Sequence, residues 1–385
     1  MARRRKKKLS GKALVLAIIL LIIILAGYYY YVNYYKPNHQ PEEPFIEAKG
    51  ELSFHFMMLG NDNAGDSIYV KAGDNDILID AGSRTNSIDD IKNYVDQYCT
   101  DNTLEFVIAT HADQDHIAGF SKKDGSIFDL YECETIIDFA LSDKETQTYE
   151  NYQTERDDEV KAGAKHYTAL ECYNNQNGAQ REYELSSDGN IKMEILYNKY
   201  YEERHEDENN YSVCLMFYHG SRQFLFTGDL EKEGEEALAN MYDFTEVELY
   251  KAGHHGSKTS SNDCLLKEIK PKMCVVCCCA GSVEYTDNLS NTFPTQAFID
   301  RIAPYTAKVY VPIMIDIVLK DDKGDTDPTN DDYDNAENYE ILNGNVVVIS
   351  EAGKDVYAEC SNNDTLLKDT EWFKENRTMP SAWKD

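Results

Sequence analysis

The chain has 385 residues, with 38 Lys and Arg against 69 Asp and Glu and a formal net charge of −31 at pH 7. A balance this acidic argues against a non-specific grip on nucleic acid or anionic lipid, although it leaves room for a locally positive site. The length modestly exceeds a usual single domain, which fits one large unit with short appendages and a substantial core.

Residues 1–12 form a basic tail carrying Arg3, Arg4, Arg5, Lys6, Lys7, Lys8 and Lys12 and no acidic residue. Residues 13–32 follow as an apolar run that ends in a tyrosine flank, long enough to span a bilayer as a helix. A cleaved signal peptide fits the basic and apolar parts too. Against it, bulky tyrosines follow Ala26-Gly27, where a peptidase favours small residues. The basic side then stays cytoplasmic, which makes the chain a single-pass protein of the cell membrane with its larger part extracellular. Without those seven basic charges, 31 Lys and Arg remain against 69 Asp and Glu, a net charge near −38 on the exported part. Residues 33–50, with Pro37, Pro41 and Pro44, read as a stiff stalk.

Folding pattern begins at residue 51 and continues to 385. Strands are expected at 51–59, 67–71 and 76–80, a helix at 88–98 with Ser87 as its N-cap, and a buried strand at 104–109. After a strand near 135–140, the polar interval within 132–190 reads as an insertion that shapes access to a site. Strands are then expected near 191–197, 212–218, 223–227 and 247–250, with a helix at 230–241. Further strands fall near 273–278, 308–311 and 345–349, with a helix at 295–302. Runs of strands followed by helices suggest two packed sheets with helices outside. Ten cysteines occur. Cys274, Cys277, Cys278 and Cys279 read as a buried strand using Cys as a small apolar residue, and Asp321 to Asn338 as a solvated acidic loop.

The chemical signal is Thr110-His111-Ala112-Asp113-Gln114-Asp115-His116-Ile117-Ala118-Gly119, directly after an apolar strand. On extended chain, residues two apart share a face, so His111 and Asp113 can grip one cation. The chain then turns, and Asp115 and His116 can reach a second. His39, His55, His166, His205 and His219 lack ligand-like neighbours and read as stalk, loop or core residues.

This segment resembles the His-x-Asp-x-Asp-His variant found in ComEC-like members of the metallo-β-lactamase superfamily. Asn63-Ala64-Gly65-Asp66-Ser67, Leu78-Ile79-Asp80-Ala81-Gly82, Asn209-Asn210-Tyr211-Ser212-Val213, Phe226-Thr227-Gly228-Asp229 and Lys251-Ala252-Gly253-His254-His255-Gly256-Ser257 resemble further landmarks in the same order. The resemblance covers residues 51 to about 310 and implies an αββα sandwich. It also implies His111, Asp113 and His255 on one metal, Asp115 and His116 on the other, and Asp229 bridging, with Asp115 and Asp229 as the catalytic carboxylates. His254 is expected to orient the site without direct ligation, and Asp80, followed by Gly82, to support the metal loop. One departure stands out. Relatives place a late His where this chain has Asn291-Thr292-Phe293-Pro294, which leaves the second metal short of a protein ligand.

Two divalent cations carry more positive charge than Asp113, Asp115 and Asp229 remove, and can lower the pKa of a water towards about 7. No serine or cysteine nucleophile is then required. The ligand mixture makes zinc the default and manganese a competitor, since a carboxylate stands at position 113. Ser257, Lys258 and Thr259 either contact a substrate phosphate or begin the helix at 262–269. The expected activity is hydrolysis of a phosphoester or phosphodiester, small or attached to the cell envelope, with nucleic acid disfavoured by charge. The alternatives are hydrolysis of a carboxylic ester, lactone or amide, and a non-catalytic binding module of the envelope.

Overall fold

The computed structural model describes residues 21, 28–29, 46–47, 50–286, 288–315 and 339–384. The expected basic tail, membrane span and stalk fall almost wholly outside them, as does the acidic loop at 321–338. Among the described residues no helix is long and apolar enough to cross a membrane. The fold belongs to the unit Ile46–Asp385.

Its first half builds a sheet from β1 (Leu52–Phe56), β2 (Ile68–Ala72), β3 (Asn75–Ile79), β4 (Thr103–Ala109), β5 (Glu132–Asp138) and β6 (Lys165–Thr168). A helix, α1 (Ile88–Val95), lies between β3 and β4; one helical turn, α2 (Gln114–Ile117), follows β4; and a longer helix, α3 (Gln147–Ala162), joins β5 to β6. The second half contributes β7 (Glu182–Glu184), β8 (Ile191–Leu196), β9 (Cys214–His219), β10 (Arg222–Phe226), α4 (Lys232–Met241), β11 (Leu249–Lys251) and α5 (Asp263–Ile269). It continues through β12 (Cys274–Val275), β13 (Cys279–Ala280), α6 (Gln296–Ile302), β14 (Val309–Tyr310), β15 (Ile313–Ile315), β16 (Tyr339–Ile341), β17 (Val346–Ser350) and β18 (Tyr357–Cys360). The eight-stranded sheet runs β18-β17-β1-β2-β3-β4-β5-β6, the seven-stranded sheet runs β14-β12-β11-β10-β9-β8-β7, and β13-β15-β16 form a small third sheet.

Side-chain alternation explains how β1 is buried along its whole length. Phe54 and Phe56 point to the opposing sheet, where the Phe54 ring lies 5.3 Å from Phe217, 4.8 Å from Phe224 and 5.2 Å from Phe226. His55 points the other way, into the rings of Tyr69, Tyr94 and Tyr98, so helix α1 covers that face. On the outer face of the second sheet, Leu238 of α4, Leu265 and Leu266 of α5, and Phe298 and Ile299 of α6 share a core with Leu225 and Tyr250. Helices thus cover two face-to-face sheets, the α/β metallo-β-lactamase architecture that the resemblance implies.

Three expectations need correction. Ser87 does not cap α1: its backbone is already helical and its hydroxyl accepts from Asn61 Nδ2 at 2.8 Å. The interval 132–190 is an insertion over the site only in part: β5 and β6 extend the first sheet by parallel pairing and α3 packs Tyr152 against Phe120, Phe128 and Phe139, while the loop between β5 and α3 supplies Lys144 to the cleft over the site. The cysteine run is buried and its thiols are free, but it is not one strand. It breaks after Val275 and passes into the small sheet at Cys279.

Candidate metal centre

The strand pairs β3–β4 and β10–β11 are both parallel, and the loops leaving their C-terminal ends carry the landmark residues. Backbone hydrogen bonds knit the loops of the first sheet together: Asp66 N donates to Asp115 O at 3.1 Å, Gly82 N to Asp66 O at 2.9 Å, and Ala81 N to His116 O at 2.8 Å. This closeness requires glycine at position 82, where a Cβ would lie 1.5 Å from the Asp115 carbonyl oxygen. On the other sheet Gly228 adopts φ +52 beside Ser212, whose hydroxyl accepts from Asp229 N at 3.0 Å. The Asn209–Val213 segment therefore sets the turn that presents Asp229.

After β4 the chain stays extended through Asp113 and then enters the single turn α2, which brings Asp115 and His116 inward. Asp80 is buried and accepts three hydrogen bonds: from Thr110 N at 2.7 Å, from Thr110 Oγ1 at 2.7 Å and from His116 Nδ1 at 2.7 Å. With Nδ1 so engaged, His116 turns its Nε2 into the site. His255 is oriented in the same way from the opposite sheet, since its Nδ1 donates to the Cys277 carbonyl at 2.7 Å. The cysteine run thus serves the site through its backbone.

Asp229 Oδ2 lies 3.2 Å from His116 Nε2 and 3.2 Å from His255 Nε2. Asp115 Oδ2 lies 3.3 Å from His255 Nε2 and accepts the Tyr285 hydroxyl at 2.9 Å. His111 Nε2 is 3.6 Å from Asp113 Oδ2, and the His111 and His116 rings are 4.1 Å apart. The donor atoms therefore group differently from the expected pairing. His255 faces Asp115, not His111 and Asp113, because the Cys277 carbonyl fixes its ring in that direction. His111, His116 and Asp229 offer ligand atoms within 4.8 Å of one another, as do Asp66, His116 and His255.

Nε2 of His111, His116 and His255 is buried without a hydrogen-bond partner among the described residues. Each such orphan costs about 1–3 kcal/mol unless something accepts its lone pair. Three of them converging with two carboxylates fit a divalent-cation site. Asp66 and Lys251 complete the surroundings, although the sequence assigned them no role. Lys251 is buried, and its ammonium lies 2.5 Å from Asp66 Oδ2 and 2.9 Å from Asp229 Oδ1 and donates to the Gly228 carbonyl at 3.0 Å. Oδ1 of Asp229 is thereby occupied, and Oδ2 is left to face the histidines. A lysine ending the apolar Leu249–Lys251 strand was the available signal, but an ammonium there reads equally well as snorkelling to the surface.

Burial pushes the His111 imidazole down to about 4, with the charge of His116 adding to the effect. Burial also opposes charge on His116 and His255, but Asp229 and the other carboxylates outweigh it and hold both imidazoles well above their usual range. Burial raises the carboxyl of Asp115, yet the His255 hydrogen bond and the His116 charge overcome this and hold it well below the usual range.

The cleft over these groups has a volume of about 350 Å³, with Arg84, Lys144, Asn209, His254 and Tyr285 among its lining residues. Lys144 pairs with Asp113 and Arg84 with Glu284. His254 adopts φ +46 and meets Glu231 at 3.3 Å, so it faces the cleft instead of bracing a ligand. Ser257, Lys258 and Thr259 do not line the cleft. The loop is closed on itself: Arg301 donates to the carbonyls of Ser257, Lys258 and Ser260, and Glu235 accepts from Ser261 N and Asn262 N. Phe293, in the segment where relatives have a His, packs its ring 6.0 Å from that of His255.

Residues 60–181 match the metallo-beta-lactamase superfamily model. The chain is 36% identical to ComE operon protein 3 of Bacillus subtilis (strain 168) over 69 residues, 18% of this chain and 9% of that protein. It is 32% identical to competence protein ComA of Neisseria gonorrhoeae over 111 residues, 28% of this chain and 15% of that one. The chain thus spans only a small part of each relative's length. Among solved structures it is similar to the metallo-beta-lactamase fold protein YhfI of Bacillus subtilis, with 12% identity, a TM-score of 0.40, and coverage of 68% of this chain and 95% of that one. Similarity to human tRNase Z, short form, is of the same order: 13% identity, a TM-score of 0.34, and coverage of 58% and 92%.

Proposed function

We propose, on the premise that this chain carries a metallo-beta-lactamase domain and is similar to competence proteins of the ComEC type, that it is a metal-dependent hydrolase of a phosphoester or phosphodiester. The observation that carries this reading is the convergence of three unpartnered imidazole nitrogens on Asp115 and Asp229. Asp115, His116 and His255 would hold one cation, and His111 and Asp113 the other, with Asp229 Oδ2 between them. His255 then supplies the donor that the missing late His denies the second position. The first position is the poorer one, since Asp113 is shared with Lys144.

A pair of divalent cations, zinc by default and manganese in competition, supplies a positive centre for an anionic ester and acidifies water. The chain's own groups do the positioning. Asp80 and the Cys277 carbonyl fix two imidazoles, Lys251 fixes the Asp229 carboxylate, and Tyr285 holds Asp115. Arg84 and Lys144 line the cleft and bring it positive charge, the ammonium of Lys144 the more so once Asp113 turns to a cation. The span at 13–32 would anchor the enzyme in the cell membrane with this domain outside, facing a small or envelope-attached substrate; the acidic surroundings disfavour nucleic acid.

The test is to count bound metal in the full-length protein and to assay bis-aryl phosphate, lactone and β-lactam reporters side by side. Two classes of metal affinity and selective cleavage of the phosphate are expected. Asp229→Ala should lower turnover about a hundredfold or more with unchanged far-UV circular dichroism; wild-type rates in that variant remove the reading. Cleavage of the lactone alone would assign the site to carbonyl chemistry.

A further inference from the structure

A second cavity, of about 580 Å³, opens beside the catalytic cleft and shares Asp113 and Lys144 with it. Its other walls include Asp143, Glu206, Asp207, Glu208, Glu231 and Glu233. Some of these carboxylates have local partners: Asp143 pairs with Arg204, and Glu231 meets the His254 ring nitrogen at 3.3 Å. Among the described residues, Glu206, Asp207, Glu208 and Glu233 have no Lys or Arg within ion-pair distance. Asp207 is half-buried, and its carboxyl is pushed up by burial and then by the neighbouring Glu231 charge.

An acidic wall alone says little, since carboxylates crowd many exposed surfaces of so acidic a chain. Glu208 is different. It is only 8% exposed, and its Oε1 has no hydrogen-bond partner among the described residues, while Oε2 accepts weakly from Asp143 N at 3.4 Å. A carboxylate withdrawn from water with one oxygen unsatisfied, in a wall of like charges, is costly unless a cation answers it. Burial accordingly pushes the Glu208 carboxyl up to about 6. Among the described lining residues there is no Phe, Tyr or Trp, and the imidazole of His205 is the single ring, too little for an aromatic cage. Quaternary ammonium groups are recognised by aromatic cages, whereas a primary ammonium, with three N–H donors, is matched by carboxylate oxygens.

We propose that this cavity binds a primary ammonium group carried by the substrate, which makes the substrate a zwitterionic phosphoester. Its phosphate occupies the cleft at the metal centre, and its amine reaches past Asp113 to the carboxylate of Glu208. The inference rests on the hydrolase reading above and adds the substrate's second recognition element. It also explains how an acidic groove can flank a site for an anionic group: the two charges of one molecule are sorted into adjacent compartments of opposite sign.

The experiment compares three 4-nitrophenyl phosphodiesters on the full-length, metal-loaded enzyme, with 2-aminoethyl, propyl and 2-(trimethylammonio)ethyl as the second ester group. In each, water adds to phosphorus and 4-nitrophenolate leaves. The aminoethyl compound is expected to exceed the propyl compound about tenfold in kcat/KM, mainly through KM, with an advantage that shrinks as salt is raised. Glu206→Gln with Glu233→Gln, two exposed positions that do not threaten folding, should reduce the ratio, and Glu208→Gln should reduce it further. Equal kcat/KM for the aminoethyl and propyl compounds overturns the proposal and leaves the hydrolase reading standing. Cleavage of none of the three overturns both. An amine preference untouched by the three substitutions, or a trimethylammonium compound that matches the amine, removes the assignment to these carboxylates.

Discussion

Replacing Lys251 with Met would test whether the centre is held together by charge before any cation arrives. The ammonium is buried between Asp66 and Asp229, at 2.5 and 2.9 Å, and also donates to the Gly228 carbonyl. Met keeps the apolar stem and removes only the charge and its hydrogen bonds. Breaking a buried ion pair by deleting one partner costs about 3–5 kcal/mol, because the other partner is left uncompensated. For the unit Ile46–Asp385, an unfolding entropy of about 0.7 kcal/mol/K turns that loss into a fall in Tm of about 4–7 °C. Scanning calorimetry in excess chelator would read it directly. Repeating the scan with saturating divalent salt should shrink the difference, since cations supply the charge that Lys251 no longer brings. A chelated variant within about 1 °C of wild type would refute the reasoning, as would a deficit equal in both conditions.

Three further outcomes follow from the same contacts. Asp80→Asn retains one acceptor for three donors, so His116 loses its fixed orientation; divalent-metal affinity, measured against a competing chelator, should fall about 10–100-fold, and unchanged affinity would remove the supporting role of Asp80. Gly82→Ala drives a Cβ into the Asp115 carbonyl, 1.5 Å from it, and should displace the α2 turn, cutting metal binding and lowering Tm together; a variant that loads metal normally would show that the loop tolerates the shift. His55 is held at about 3 by burial, so its stabilisation is complete above its unfolded value of about 6.5 and is lost as pH falls towards 3. Between pH 7.5 and pH 4 that amounts to about 3 kcal/mol, and urea titrations of His55→Phe at the two pH values should show a drop in stability smaller by that amount than wild type shows.

Much of this fold was legible because its strands obey simple patterns. Phe54 and Phe56 alternate with Ser53 and His55, and the Asp-Asn and Gly-rich breaks between β1, β2 and β3 fall where chain reversals occur. The His111–His116 segment was legible for a local reason: residues two apart share a face on extended chain, and a turn after Asp113 brings the next pair round. What escaped depended on partners distant in sequence. His255 was expected beside His111, but a carbonyl 22 residues further on decides which way its ring points. Ser87 has the side chain of an N-cap, yet the Asn61 amide, 26 residues earlier, takes its hydroxyl. Lys251 and Glu208 carry chemistry because they are buried, and burial of a charged side chain cannot be read from its neighbours in the chain.

Lys251 is part of how so acidic a molecule can hold a cation centre in shape. Asp66, Asp80, Asp113, Asp115 and Asp229 bring five carboxylates to one small volume, and among the described residues Lys144 and Lys251 pair with them directly while Arg84 lines the same cleft. Protons meet part of the remainder, since the carboxylates hold His116 and His255 well above the usual imidazole range. Cations entering this centre therefore exchange with protons already in place, and the side chains need not move far to receive them. Glu208 stands outside that arrangement. Lys144 favours its ionised form from a distance but pairs directly with Asp113, which leaves Glu208 without an ion pair among the described residues. On the proposal above, an ammonium entering the groove supplies that pair, which is why substrate selectivity, more than stability, should register the loss of this carboxylate.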